Sequence, residues 1–333
     1  MSRFESKNNT RTIVQRTATI VLAAILLLSL CLFFVEKWEQ GHNEYSESPK
    51  VLSDKLEYNG QTYELKDNID TILVLGLDKF KTEELSSFNN DKQADFLMLL
   101  VIDNSNKTYK TIQINRDTMT EMNVLGVAGD KIGTVVKQIA LSHTYGNGKE
   151  ISCRNVANAV SKLLDGVEVD HYISLTMDAV QIYNDLVGGV TVEVLDDFTK
   201  IDETLVKGET VTLMGEQALI YVRARNGLDD ATNRNRMNRQ KQYLEALFDK
   251  SREKAKEDEE FISRAALKLT EYLVSDYSGN RLETLLEDLS EYNYEKTLTI
   301  SGESVVGEEF MEFYPDETSK KEAVIDCFYK IVE

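Results

Sequence analysis

Residues 94–103 read ADFLMLLVID, a run in which only Asp95 and Asp103 are charged. Apolar residues without alternation over this length read as a strand buried on both faces. Two similar runs flank it. Residues 71–77, TILVLGL, end at Asp78, and residues 108–115, TYKTIQIN, show partial alternation. Three such runs in succession make the core of a sheet. Asp78, Asp95, Arg116 and Asp117 stand at the run ends. Charged side chains there can converge on one rim, where α/β sheets place ligand sites.

Helical and strand signals follow this core. Val156, Val160, Leu163 and Leu164 fall at helical spacing within 153–165, and Gly166 suits a C′ stop. Residues 169–175 read as a strand, 177–187 as a helix closed by Gly188 and Gly189, and 190–195 as a strand. A short helix is expected over 214–222 and a long one from about Asn235 to Lys256. The tail predicts helices at 261–273, 282–289 and 320–332, with a strand at 296–300.

The N-terminus carries its own signal. Residues 17–35, TATIVLAAILLLSLCLFFV, contain no charge and are long enough to cross a bilayer core of about 30 Å. Arg3, Lys7, Arg11 and Arg16 precede the run, so the positive-inside rule puts the tail in the cytoplasm. No small-x-small cleavage site follows, which favours a retained anchor over a signal peptide. The expected organisation is a cytoplasmic tail (1–16), a transmembrane helix (17–35), an extracytoplasmic stalk with one short strand (36–67), and a folded domain (68–333).

The chain carries 38 Lys+Arg against 57 Asp+Glu, a net charge of −19. Such a balance opposes nonspecific binding to nucleic acid. Three histidines without metal-ligand spacing argue against a zinc enzyme. Three cysteines are too few for a disulfide scaffold; Cys153 and Cys327 could pair or stay as free buried thiols.

Against this acidic background, residues 221–240, YVRARNGLDDATNRNRMNRQ, hold Arg223, Arg225, Arg234, Arg236 and Arg239. The arginine fork matches phosphate bidentately. The plainer alternative is a solvated basic helix face. Carboxylates at strand ends, such as Asp78 and Asp95, are costly unless paired. With an arginine cluster nearby they suit a hard divalent cation shared with pyrophosphate. They could equally be a turn residue and a solvated strand end.

Eight stretches in order carry a resemblance: LVLGLD (73–78), ADFLML (94–99), INRDT (114–118), SHTYGNG (142–148), VDHYISL (169–175), DLVGGVTVEV (185–194), GEQALIYVRAR (215–225) and RMNRQ (236–240). The set resembles the LytR-CpsA-Psr family of cell-envelope phosphotransferases over about residues 68 to 250. The resemblance implies an α/β/α sandwich with a central mixed sheet and an apolar lipid tunnel. It also implies transfer of a phospho-glycopolymer from a polyprenyl-pyrophosphate carrier to peptidoglycan at the outer face of the membrane, while the acidic charge and the expected outside location argue against a role on nucleic acid. By motif position, Asp78 and Asp95 would hold Mg²⁺ or Mn²⁺. Arg116, Arg223, Arg225, Arg236, Arg239 and Gln240 would bind the pyrophosphate. Asp95, Arg116 and Asp117 form the implied catalytic set, with Asp117 orienting Arg116 and Asp95 the candidate base.

Two positions depart from the family pattern. Asn115 replaces the usual proline before the Arg-Asp pair, and Asn233 replaces an aspartate three residues before Arg236. A non-catalytic polyprenyl-phosphate binder, or an envelope-regulatory protein, is therefore the alternative class.

Overall fold

Asn59 and Gly60, at φ 51° and 76°, close a two-residue hairpin between β1 (Lys55–Tyr58) and β2 (Gln61–Leu65). Asn-Gly is the preferred pair for such a turn because both residues tolerate positive φ. The computed structural model describes residues 52–77, 90–308 and 310–332. The membrane-spanning run expected at 17–35 and the carboxylate of Asp78 lie outside them. Among the described residues no helix is long and apolar enough to cross a membrane. Folded structure begins ahead of Asn68: residues expected as stalk form this hairpin, and Leu56, Tyr63 and Leu65 pack on the main core.

The three apolar runs become β3 (Ile69–Leu77), β4 (Phe96–Asp103) and β5 (Thr108–Ile114), antiparallel in sequence. Leu99 lies opposite Leu73 on one side and Ile112 on the other. A hairpin of β6 (Met119–Leu125) and β7 (Lys131–Gln138) follows, then helix α1 (Glu150–Leu163). The helix closes one residue earlier than expected: Asp165 takes the left-handed C′ position at φ 59°, and Gly166 donates back to the Ser161 carbonyl at 2.8 Å. Strand β8 (His171–Thr176) then joins β3 in parallel.

The next segment builds a second core. It comprises α2 (Met177–Leu186), the hairpin β9 (Val190–Glu193) and β10 (Thr210–Leu213), α3 (Glu216–Arg223), α4 (Asn233–Glu257) and α5 (Phe261–Leu269). Val190, Phe198, Tyr221, Tyr243 and Phe261 pack there. Helix α5 ends at Leu269 instead of Leu273, because β11 (Leu273–Ser275) leaves to pair with β8. Helix α6 (Gly279–Glu291) leads to β12 (Asn293–Thr299), parallel to β5. The six-stranded mixed sheet has the order β11-β8-β3-β4-β5-β12.

Hairpin β13 (Gly302–Val306) and β14 (Met311–Pro315) precede α7 (Glu317–Phe328) and β15 (Tyr329–Val332). The sequence reading carries the last helix to Val332. Its final residues are instead a strand, because Tyr329 to Val332 pair with β2. Both buried cysteines are free thiols: Cys153 lies on α1 and Cys327 on α7.

Alternate residues of the central strands serve different faces. Leu73, Leu75, Leu97, Leu99 and Ile112 pack against α1 and α7. Val74, Met98, Leu100, Tyr109 and Ile173 line a cavity under α2, α4, α5 and α6. Helices therefore cover both faces, and the uninterrupted apolar runs follow from that double burial.

Candidate active site

The functional side chains gather at one end of β3, β4 and β5. Asp95 directly precedes β4, and its backbone N–H donates to Gly76 at 2.9 Å. A Cβ on Gly76 would lie 2.8 Å from Phe96 Cβ, so glycine permits this approach of the two strands. After β5 the chain turns sharply. Asn115 Oδ1 accepts from the Asp117 N–H at 2.9 Å, and the Asn115 carbonyl accepts from the Thr118 hydroxyl at 2.6 Å. This turn sends Arg116 into a cleft and buries Asp117.

Arg116 is ion-paired with Asp95 and donates to the Gln93 side chain. Its Nε is 3.4 Å from Asp117 Oδ1. Burial raises the Asp117 carboxyl above its ordinary value, although Arg116, Arg236 and Arg225 all pull it down. Asp117 thus lies buried beside Arg116, within the electrostatic reach of Arg225 and Arg236.

The opposite wall comes from the end of α3 and the start of α4. Thr232 caps α4 by accepting from Asn235 N at 3.3 Å. Arg236 is 5% exposed and donates to Asn233 Oδ1 at 2.5 Å and to the Asp95 carbonyl at 3.4 Å. Its buried Nε has no hydrogen-bond partner. Burial, reinforced by Arg225 and Arg116, draws the Arg236 guanidinium down to about 10. A buried cation among other cations is a site that gains from an anion.

Asp95, Arg116, Arg223, Arg225, Arg236 and Gln240 all line one cleft of about 920 Å³. Asp91, Lys92, Gln93, Glu216 and Asn226 share its wall. No sequence motif marks these five, although Lys92 and Gln93 stand just before the Asp95 run. The cleft abuts the apolar cavity of about 350 Å³ under the sheet, and Met177 and Gln240 line both.

Two arginines of the cluster lie elsewhere. Arg239, expected on the pyrophosphate, is fully buried outside the cleft. It pairs with Asp196 at 2.5 Å, donates to the carbonyls of Tyr221 and Ala224, and sits over the Phe198 ring. Gln240 also donates to the Val222 carbonyl, at 3.2 Å. Together they cap the last turn of α3 and so fix the segment bearing Arg223 and Arg225. Arg234 is exposed and donates to the Gly302 carbonyl at 3.2 Å. No sequence signal separates Arg236 from Arg239; the difference is Asp196, which follows β9.

His143 of the SHTYGNG stretch is fully buried, with Nδ1 2.9 Å from the Lys92 carbonyl. Burial pushes its pKa down to about 4, so the ring stays neutral. Asn90 Nδ2 donates to the His143 carbonyl at 2.9 Å. The stretch therefore anchors the loop that carries Gln93 and Asp95.

Among the described residues no three His, Cys, Asp or Glu side chains cluster as a metal site. Asp95 is the expected metal ligand that the structure describes, and it faces the cleft.

Comparisons with known proteins agree with this architecture. The chain is 30% identical over 217 residues to the polyisoprenyl-teichoic acid--peptidoglycan teichoic acid transferase TagV of Bacillus subtilis, covering 62% of this chain and 51% of that protein. It is 30% identical over 187 residues to TagU of Bacillus licheniformis, a transferase of the same description, covering 55% and 53%. The chain thus spans about half the length of the curated relatives it matches. The crystal structure of B. subtilis TagV superposes with a TM-score of 0.58 at 26% identity, over 79% of this chain and 98% of that one. TagT bound to LI-WTA gives 0.59 at 20% identity, over 84% and 95%, a likeness of fold. The model of the LytR_cpsA_psr family matches residues 32–324, and the chain belongs to that family.

Proposed function

We propose that the protein is a membrane-anchored phosphotransferase that moves a phospho-glycopolymer from a polyprenyl-pyrophosphate carrier to a hydroxyl of peptidoglycan. One observation carries this reading: an arginine-lined cleft and an apolar cavity share Met177 and Gln240 in their walls. A carrier with an anionic head and a hydrocarbon tail would put its head among Arg116, Arg223, Arg225 and Arg236 and its tail under the sheet. The names of TagV and TagU support the same chemistry.

In the proposed step the acceptor oxygen bonds to the phosphorus next to the sugar. The bond from that phosphorus to the bridging oxygen breaks, and polyprenyl phosphate leaves with the electron pair. The hydroxyl proton passes to a carboxylate, for which Asp95, Asp91 and Glu216 of the cleft are the described candidates. Phosphoryl transfer depends chiefly on positioning and charge stabilisation, which the arginines would supply.

A divalent ion is part of the proposal. Mg²⁺ takes one or two carboxylates and completes its shell with substrate phosphates and water. The sparse set of Asp95 with Asp78 fits that habit, provided Arg116 turns from Asp95 to the phosphate. When bound, Mg²⁺ or Mn²⁺ would offset pyrophosphate charge. The proposal also holds the domain outside the membrane on the anchor at 17–35, supported by the uncharged run and the basic residues before it. Protease added to wall-stripped cells should digest it; full protection would reverse the orientation.

The second reading, a non-catalytic carrier binder, draws on Asn233 standing where an acidic residue is usual. Mass spectrometry of lipid co-purified with the detergent-extracted protein tests what both share. Polyprenyl pyrophosphate or phosphate is expected, and absence of any polyprenyl species would contradict both.

A further inference from the structure

The two departures from the family pattern touch each other. Asn233 Nδ2 lies 2.6 Å from Asn115 Oδ1, across 118 positions of sequence. That oxygen already accepts the Asp117 backbone N–H at 2.9 Å, and a backbone N–H can only donate. The orientation of the Asn115 amide is therefore fixed, and Asn233 must meet it with its NH₂ group. The Asn233 oxygen then faces Arg236 Nη2, 2.5 Å away, which also can only donate. Both ends of the chain of bonds demand the same orientation of the Asn233 amide, which removes the usual ambiguity of amide flips.

Resting on the anion-cleft reading above, we propose that Asn115 and Asn233 are a positioning pair that holds Arg236 through neutral acceptors and leaves its charge for the pyrophosphate. Arg239 supplies the contrast. Three residues along the same helix, its guanidinium meets the Asp196 carboxylate and lies outside the cleft. The hydrogen bonds described for Arg236 end on the Asn233 amide and the Asp95 carbonyl. One arginine is neutralised by a bonded carboxylate; the other hydrogen-bonds only uncharged groups, feels Asp117 through space, and faces the cleft. The pair also ties the turn that aims Arg116 to the first turn of α4. A carboxylate at 233 would set oxygen against oxygen at Asn115 and compete with phosphate for Arg236.

The test is binding of inorganic pyrophosphate to the full chain in detergent, by calorimetry, for wild type, Asn115→Ala, Asn233→Ala, the double variant and Asn233→Asp. Each alanine should weaken binding about tenfold. The double variant should be no weaker than the weaker single, because either substitution opens the same relay. Asn233→Asp should bind more weakly than Asn233→Ala. In transfer assays KM for the lipid-linked donor should rise more than kcat falls, whereas a general folding defect lowers the active fraction and hence kcat. Asn233 is half-buried at the helix start, so its two variants decide the matter even if Asn115→Ala fails to fold. Additive losses, or Asn233→Asp binding as well as wild type, would overturn the pairing while leaving the cleft reading intact. Wild type that binds no pyrophosphate would overturn both.

Discussion

Asp95 and Arg116, brought together from the start of β4 and the turn after β5, form an ion pair within the cleft. Both side chains are partly accessible, at 18% and 14%. Under the proposed function a phosphate and its counter-ion would compete for its two members, and the pair would exchange partners when they bind.

Asp95→Asn should abolish transfer and spare the fold. Arg116 keeps Asp117 and Gln93 as partners in an open cleft, so loss of the Asp95 charge leaves no uncompensated buried cation, whereas loss of a group acting on developing charge typically costs on the order of 10² to 10³ in rate. Turnover and thermal unfolding measured together check this. An unfolded variant would make Asp95 structural.

Arg225→Ala should weaken binding of polyprenyl pyrophosphate roughly ten- to a hundredfold, since charge-assisted bonds contribute about 1.5–3 kcal/mol each. Arg225→Lys should do nearly as badly, because lysine keeps the charge but not the fork. Free polyprenol should bind all three proteins equally. Unchanged pyrophosphate affinity would leave Arg225 as a solvated residue.

Arg239→Ala should act differently. It leaves the Asp196 carboxylate with only the neutral Asn235 amide for a partner and uncaps α3, and removing one member of a buried pair costs about 3–5 kcal/mol. Denaturant unfolding should register that loss, and activity should fall with folded fraction. A stable Arg239→Ala protein with selectively lost pyrophosphate binding would return Arg239 to the cleft.

The contrast between these two arginines marks the limit of what the sequence discloses. Residues 71–77, 94–103 and 108–115 are legible as strands because they are buried on both faces, so composition alone reveals them. Hairpin β6–β7 is not, since β7 is exposed along most of its length and carries neither an unbroken apolar run nor a clean alternation. Residues 329–332 have apolar spacing that continues a helix, and only pairing with β2, more than 260 residues away, makes them a strand. The Asn59-Gly60 pair is itself a hairpin signal, and it marks β1–β2 within residues whose polar composition reads as a stalk. The site motifs identify the cleft, but RMNRQ cannot show that Arg236 faces it while Arg239 meets Asp196. That choice is made by tertiary contacts.

Stability should fall as pH drops from about 6.5 toward 4. His143 is held neutral with its pKa at about 4, while in the unfolded chain it takes a proton near 6.5. A depressed base contributes stability that is present above the unfolded value and lost as pH falls through the folded one. The difference corresponds to about 3 kcal/mol. Asp117 has the opposite sign: its raised carboxyl favours folding at low pH and loses that contribution as pH rises through the folded value, so it offsets part of the slope. Urea unfolding across this range should show the slope in wild type and a flatter one in His143→Gln. Equal slopes would remove His143 from the explanation.

Filling the apolar cavity should separate tail from head. Ala266→Trp places an indole among its lining side chains. It should lower affinity for the lipid-linked carrier and leave inorganic pyrophosphate binding unchanged. Loss of both would mean that the cavity and the cleft do not act as separate parts.

The most direct measurement is release of polyprenyl phosphate from a lipid-linked glycan donor, with peptidoglycan and Mg²⁺ supplied to the full chain in detergent. Release that depends on acceptor, stops in Asp95→Asn and leaves phosphate between glycan and peptidoglycan is the expected result. Carrier that stays bound and intact through many donor equivalents, with acceptor present, would contradict transfer and identify a carrier-binding protein.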